Sequence, residues 1–115
     1  MLAKKYRVRK KREFDNIFKK SRPLHSENLI LRVCFSNKET IKFGFVVSNK
    51  VDKRSARRNA IKRQLRAITQ EIMPKVKKGI EVIVIVKKEF PYPYEQKIIK
   101  EQYLPLLLKA GIISD

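Results

Sequence analysis

Glycine is scarce in this chain, three residues in 115, and that scarcity removes several chemistries at once. A Walker loop or a dinucleotide fingerprint needs glycines at close, fixed spacings, and Gly44, Gly79 and Gly111 stand far apart. A single cysteine, Cys34, forbids an intramolecular disulfide and any zinc site built on cysteine pairs, and it is expected in a strand as a small apolar group. The one histidine, His25, sits in a polar loop without a cysteine or second histidine nearby, and reads as a surface residue rather than a ligand or general base. The eleven acids are scattered, so no close cluster suggests a two-metal nuclease site. No apolar run approaches the roughly 18 residues of a membrane span. The N-terminus is basic with no apolar segment behind it, unlike a signal peptide. These absences lead to the expectation of a reducing, cytoplasmic setting, no membrane association, and no catalytic or metal-binding constellation in the protein itself.

What the chain has in excess is positive charge: 29 Lys and Arg against 11 Asp and Glu, a formal net charge of +18. Self-repulsion on that scale opposes compaction unless a polyanion neutralises it. Yet 43% of the residues are hydrophobic, so the chain can bury a core and is not a disordered tail. The length suits one small domain spanning residues 1–115.

The periodicities order the elements. Residues 1–9 are basic without a clear period and read as a flexible arm. A short helix is expected from Lys11 to Lys20, with Phe14, Ile17 and Phe18 on one face, broken by Ser21 and Pro23. Leu29 to Phe35 alternates, with Ile30, Arg32 and Cys34 pointing opposite to Leu29, Leu31 and Val33. Ile41 to Ser48 alternates again, and the two runs read as a hairpin across a turn at Asn37–Thr40. One more short strand fits between Pro23 and Asn28. Ile80 to Val86 is β-branched except for Glu81, as a central strand would be. Tyr94 to Ala110 is helical in pattern, kinked or divided by Pro105. The fold class is therefore α+β: a single-domain sandwich of order α-β-β-(β)-α-β-α, with helices packed on one central sheet.

The charge concentrates between Lys50 and Arg66, which carry eight cations and one acid, Asp52, in KVDKRSARRNAIKRQLR. Ile61, Leu65, Ile68 and Ile72 form the apolar stripe of an amphipathic helix, and Asn59, Lys62, Arg63 and Arg66 fall on the opposite face. Arg54, Arg57 and Arg58 crowd its start, with Ser55 as the expected N-cap. That is the wrong sign for the helix dipole and the right one for an anionic ligand. A solvated face would mix signs to form i,i+4 pairs, and this one has almost no acids. The stretch, including Lys50 and Lys53, reads as an anion-binding surface, and nucleic acid is the commonest polyanion to need one. Phe14 and Phe18 read two ways, as core anchors of the first helix or as cleft-edge rings that stack on unpaired bases, with at least one partly exposed. Arg32 then faces either solvent or one wall of the same basic groove, which Asn59 and Lys62 are expected to share.

ARRNAIKRQLR, from Ala56 to Arg66, resembles the signature of the protein subunit of bacterial ribonuclease P, an Arg-Asn pair followed by Lys-Arg and a further Arg. EFDNIFK, from Glu13 to Lys19, resembles that family's first-helix motif, and FGFVVSNK and EVIVIVKK fall where it has strands. The resemblance covers nearly the whole chain. It implies a sandwich with a left-handed βαβ crossover, against the usual hand. It implies a non-catalytic protein cofactor that binds the catalytic RNA subunit and the single-stranded leader of precursor tRNA, with Mg²⁺ held mainly by RNA and substrate. By position, Arg58, Asn59, Lys62, Arg63 and Arg66 match the family's basic helix, and Phe14 and Phe18 its cleft. Ala60 stands where the family often has Arg, and Arg32 where some members carry an aromatic, so stacking there would be through guanidinium. The alternatives are a ribosomal or ribosome-associated RNA-binding protein, and a DNA-binding module. The second needs Asn and Gln along the exposed helix face, where only Asn59 and Gln70 qualify.

Overall fold

The structure, a computed structural model, describes residues 2–36 and 38–114. Its elements are α1 (Lys11–Lys20), β1 (Arg22–His25), β2 (Leu29–Phe35), β3 (Ile41–Val46), α2 (Ser55–Ile72), β4 (Ile80–Val86) and α3 (Gln96–Lys109). The strands form one sheet in the order β1-β2-β4-β3. The expected extra strand is β1, and the α+β sandwich is as the periodicity implied.

The hairpin is not. β2 and β3 are not neighbours: β4 lies between them, antiparallel to β2 and parallel to β3. The reason lies in β4 itself. Its sequence, IEVIVIV, is apolar on both faces, so it gains most by having a strand at each edge and helices above and below. β2 and β3 instead flank the start of β4, with Phe35 and Ile41 both paired to Ile80. The connection between them crosses Gly79. There the Ser36 N–H donates to the Gly79 carbonyl at 2.8 Å, and the Gly79 N–H donates to the Thr40 carbonyl at 2.8 Å. Gly79 has φ +80°, and a Cβ on it would meet the Ser36 carbonyl oxygen at 2.6 Å, so only glycine permits this crossing. The expected turn at Asn37–Thr40 falls partly on Asn37, outside the described residues.

Helices cover both faces. On one, Leu29, Leu31, Val33, Phe43, Phe45, Val82 and Val84 pack with Ile61, Leu65 and Ile68 of α2 and Ile99, Tyr103 and Leu107 of α3. The hydroxyls of Tyr103 and Thr69, 2.7 Å apart, tie the two helices inside this core, and burial pushes the Tyr103 phenol far above its ordinary range. α3 continues through Pro105 as one helix, with Pro105 on its exposed side, where water can satisfy the carbonyl it leaves unpaired. On the other face α1 packs through Ile17 against Cys34 and Ile83.

Residues 2–9, expected as part of a loose arm, are docked. Leu2 and Val8 are buried, Arg7 bridges to Phe43 in parallel fashion, and the Val8 N–H donates to the Phe43 carbonyl at 2.9 Å. The segment thus extends the sheet beyond β3, and its two buried apolar residues, Leu2 and Val8, are too widely spaced to reveal a period.

Candidate nucleic-acid interface

α1 lies across the strands rather than along them. Phe14 sits over Gly44 of β3, and Phe18 sits beside Arg32 of β2. Between them the register aligns Gly44, Ile83 and Arg32 in one row of the sheet. A Cβ on Gly44 would lie 2.7 Å from a Phe14 ring carbon, so the missing side chain is what lets the ring settle onto the strand. Phe14 is half-buried as a result, and Phe18, at the far end of the helix, is 36% exposed. The Arg32 guanidinium lies 5.3 Å from the Phe18 ring centre, while its buried Nε has no hydrogen-bond partner. Alongside runs the next row of the same face, Ile30, Ile85 and Val46, which α1 leaves only half-buried. The result is an apolar floor edged by an exposed aromatic ring and an under-satisfied cation. Of the two rings, Phe14 is packed in part on Gly44, while Phe18 stays exposed at the end of α1.

The basic helix is built differently at its start than expected. Ser55 is the first helical residue, Arg54 occupies the cap position, and no side chain caps the turn. The preceding acid organises this end instead. Asp52 accepts the Arg54 N–H at 2.9 Å and the Tyr94 hydroxyl at 2.8 Å, and lies 3.6 Å from the Arg57 guanidinium. The Arg54 N–H is the main reason its carboxyl is held below its ordinary range. Arg58 folds back to donate to the carbonyls of Asp52 and Lys53 at 2.9 and 3.0 Å. Arg57 and Arg58 therefore hold the loop onto the helix, which the charge pattern alone did not distinguish from an open anion site. Lys50, Lys53, Arg54, Asn59 and Arg63 are exposed, and Lys62 and Arg66 half-exposed.

The apolar stripe of α2 packs on the face of the sheet opposite α1, which carries Phe14 and Phe18, and the structure leaves Asn59 and Lys62 on the outer side of α2. What it does join to α2 is the N-terminal segment. Burial, and secondarily the charge of Arg7, lower the pKa of Arg66, whose Nε is buried without a partner. From Arg7 the positive surface continues into an open cleft walled by Lys4, Lys5, Arg9, Lys10 and Arg12. Its one acid, Glu13, is tied to Lys42 at 2.7 Å. No spacing pattern signals this cleft, because its walls come from the N-terminal segment, the start of α1 and β3. Crowded cations with orphaned donors constitute an unfavourable arrangement that bound phosphates would relieve.

The family model described as Ribonuclease P matches residues 2–110. The chain belongs to the ribonuclease P protein family. Among similar proteins, the ribonuclease P protein component of Syntrophomonas wolfei is 32% identical over 114 residues, covering 99% of this chain and 94% of that protein. The ribonuclease P protein component of a Synechocystis species is 33% identical over 114 residues, covering 98% and 91%. In three dimensions the ribonuclease P protein of Thermotoga maritima superposes with a TM-score of 0.79 at 27% identity, over 90% of this chain and 96% of that one. The chain is accordingly the RNA-binding protein cofactor of a ribonucleoprotein endoribonuclease that processes the 5′ end of tRNA, and its partners are the ribonuclease P RNA and tRNA substrates. The ribosomal alternative is not favoured. Among the described residues no helix is long and apolar enough to cross a membrane. No three His, Cys, Asp or Glu side chains among the described residues converge into a metal-ligand set.

Proposed function

We propose that the two faces of this protein divide the RNA between them. The exposed face of α2, through Lys50, Lys53, Arg54, Asn59, Lys62, Arg63 and Arg66, binds the catalytic RNA subunit together with the N-terminal basic segment. The α1 cleft, through Phe14, Phe18 and Arg32, receives the unpaired 5′ leader of precursor tRNA. The observation that carries the second half is the pairing of an exposed Phe18 with Arg32, whose buried Nε lacks a partner, above a half-covered apolar floor. Stacking on aromatic rings and guanidinium planes is how proteins hold unpaired bases. The catalytic Mg²⁺ would be held by the RNA subunit and substrate, since the described residues gather no ligand set for it. The setting is the cytoplasm, and duplex DNA is not a partner.

The test is reconstitution. RNA-free protein should show no cleavage of precursor tRNA. With the cognate RNA subunit and Mg²⁺ it should support cleavage at the mature 5′ end, and the assembled complex should bind precursor more tightly than mature tRNA. Cleavage by the rigorously RNA-free protein, or equal affinity for the two tRNAs, would refute the division of labour.

A further inference from the structure

We propose that the loop between β4 and α3 carries a second base-stacking platform, Tyr92 backed by Arg57, which takes an unpaired base of RNA; this deepens the RNA-binding reading above and rests on it. Tyr92 is 60% exposed, so its ring is open to a ligand. It is nevertheless held in place. The Arg57 guanidinium carbon lies 4.1 Å from the ring centre, and Tyr94 meets the ring edge-on at 5.3 Å and 82°. Both supports converge on Asp52, which receives the Tyr94 hydroxyl at 2.8 Å and lies 3.6 Å from Arg57. Tyr94 in turn packs on Phe90, which is only 4% exposed, so the platform is anchored to the core. Pro91 and Pro93 flank Tyr92 and restrict its backbone. A ring presented this rigidly loses little freedom when a ligand stacks on it.

The surroundings specify the ligand. Arg57 is partly neutralised by Asp52, so it serves as a flat stacking partner rather than a phosphate clamp. The free charge comes from Lys50, Lys53 and Arg54, all exposed and adjacent in sequence to Asp52. An exposed aromatic bordered by cations matches a single nucleic-acid strand, with the base on the ring and phosphates along the rim. The base could come from an unpaired position of the catalytic RNA or from the tRNA leader, and affinity measurements separate the two.

The decisive variants are Tyr92→Leu, which keeps bulk and removes the π-face, and Tyr92→Phe, which keeps the face and removes the hydroxyl. One arm measures affinity for the catalytic RNA alone. The other measures the preference of the assembled complex for precursor over mature tRNA. Tyr92→Leu should lose roughly 5- to 150-fold in one arm, the arm naming the source of the base, while Tyr92→Phe stays near the parent; the melting temperature should fall by at most a few degrees in Tyr92→Leu, which gives up the exposed contact with Arg57, and stay near the parent in Tyr92→Phe. Parent-like binding by Tyr92→Leu in both arms overturns the platform, and so does an equal loss in Tyr92→Phe. The Lys62/Arg63/Arg66→Ala variant run beside them separates the failures. If it loses RNA affinity while Tyr92→Leu does not, the platform alone is wrong; if it also binds like the parent, the RNA-binding role of α2 falls with it.

Discussion

Truncating Phe18 to Ala separates a ring kept for recognition from a ring kept for packing, because the two roles predict losses in different measurements. A fully buried Phe costs about 3 to 5 kcal/mol when cut to Ala. Phe18 is 36% exposed and is not among the rings packed on the small core beneath α1. Its main partner is Arg32, at 5.3 Å from the ring centre, and an exposed cation–π contact is worth about 0.5 to 1 kcal/mol. The stability loss should therefore stay near 1 kcal/mol, a few degrees in melting temperature for a domain of this size. If the ring stacks on a base of the leader, about 1 to 3 kcal/mol of binding goes with it. Phe14 is the internal control. It packs on Gly44 and the core beneath α1 while remaining half-exposed, so Phe14→Ala should cost about 2 kcal/mol of stability as well as some binding. The assay is the affinity of the reconstituted complex for precursor against mature tRNA, alongside thermal denaturation of the free protein. The reasoning fails if Phe18→Ala leaves the precursor preference untouched, or if it destabilises the fold as much as Phe14→Ala does.

Gly44→Ala should reach the same cleft from beneath: the added methyl, 2.7 Å from the Phe14 ring and 3.1 Å from Val8, should displace the ring, weaken precursor preference and cost about 1 to 3 kcal/mol, measured by the same pair of assays. The Lys62/Arg63/Arg66→Ala variant should stay folded and lose affinity for the catalytic RNA, with the salt slope falling by about 0.7 to 0.9 for each phosphate contact removed; a parent-like salt titration would reduce this face to solvated surface. Acid should destabilise the free protein in a defined way. Glu13, chiefly through its hydrogen bond from Lys42, and Asp52, chiefly through the Arg54 N–H, are both held below their ordinary values of 4.5 and 3.8. Their stabilisation is complete above those values and is lost as pH falls through the lower folded-state ones. The melting temperature should therefore drop on acidification below about pH 4.5, and less steeply in Glu13→Gln/Asp52→Asn; a parallel fall in both proteins would rule out these two groups as the cause.

What the sequence revealed and what it hid follow one physical line. Period is a property of a single segment, so α1, the apolar stripe of α2, the strand character of β2, β3 and β4, and the basic face of α2 were all legible from spacing. Partnership is a property of two segments. β2 and β3 look like a hairpin because each alternates and a short turn-like stretch joins them. Nothing within either strand records that β4, which follows only after the whole of α2, claims the position between them. The trace of that arrangement is Gly79, readable as loop punctuation but not as the one residue that lets a chain cross over the start of β4. The docking of residues 2–9 was hidden similarly, since Leu2 and Val8 serve different clusters and form no repeat.

The same distinction governs the site. Charge density marked Lys50 to Arg66 as one anion-binding stretch, but density does not say which cations are already spent. Arg58 is used on two loop carbonyls and Arg57 on Asp52 and Tyr92, so the start of α2 is a braced structure. Arg66 and Arg32 are the opposite case. Each has a guanidinium Nε that is buried and unpartnered, a cost the folded protein carries without local return. Both lie where RNA contact is proposed, one on the basic helix and one beside the exposed ring of the cleft. A protein that only needed to fold would relax these donors toward water or pair them with acids. Leaving them poised, with 29 cations against 11 acids, gives up stability in the free chain for affinity in the ribonucleoprotein. The free protein should then be stabilised by any anion able to reach them, and sulfate should raise its melting temperature more than chloride does at equal ionic strength. An equal response to the two salts would mean that these donors gain nothing from a bound anion and that the positive surface acts only as a diffuse field.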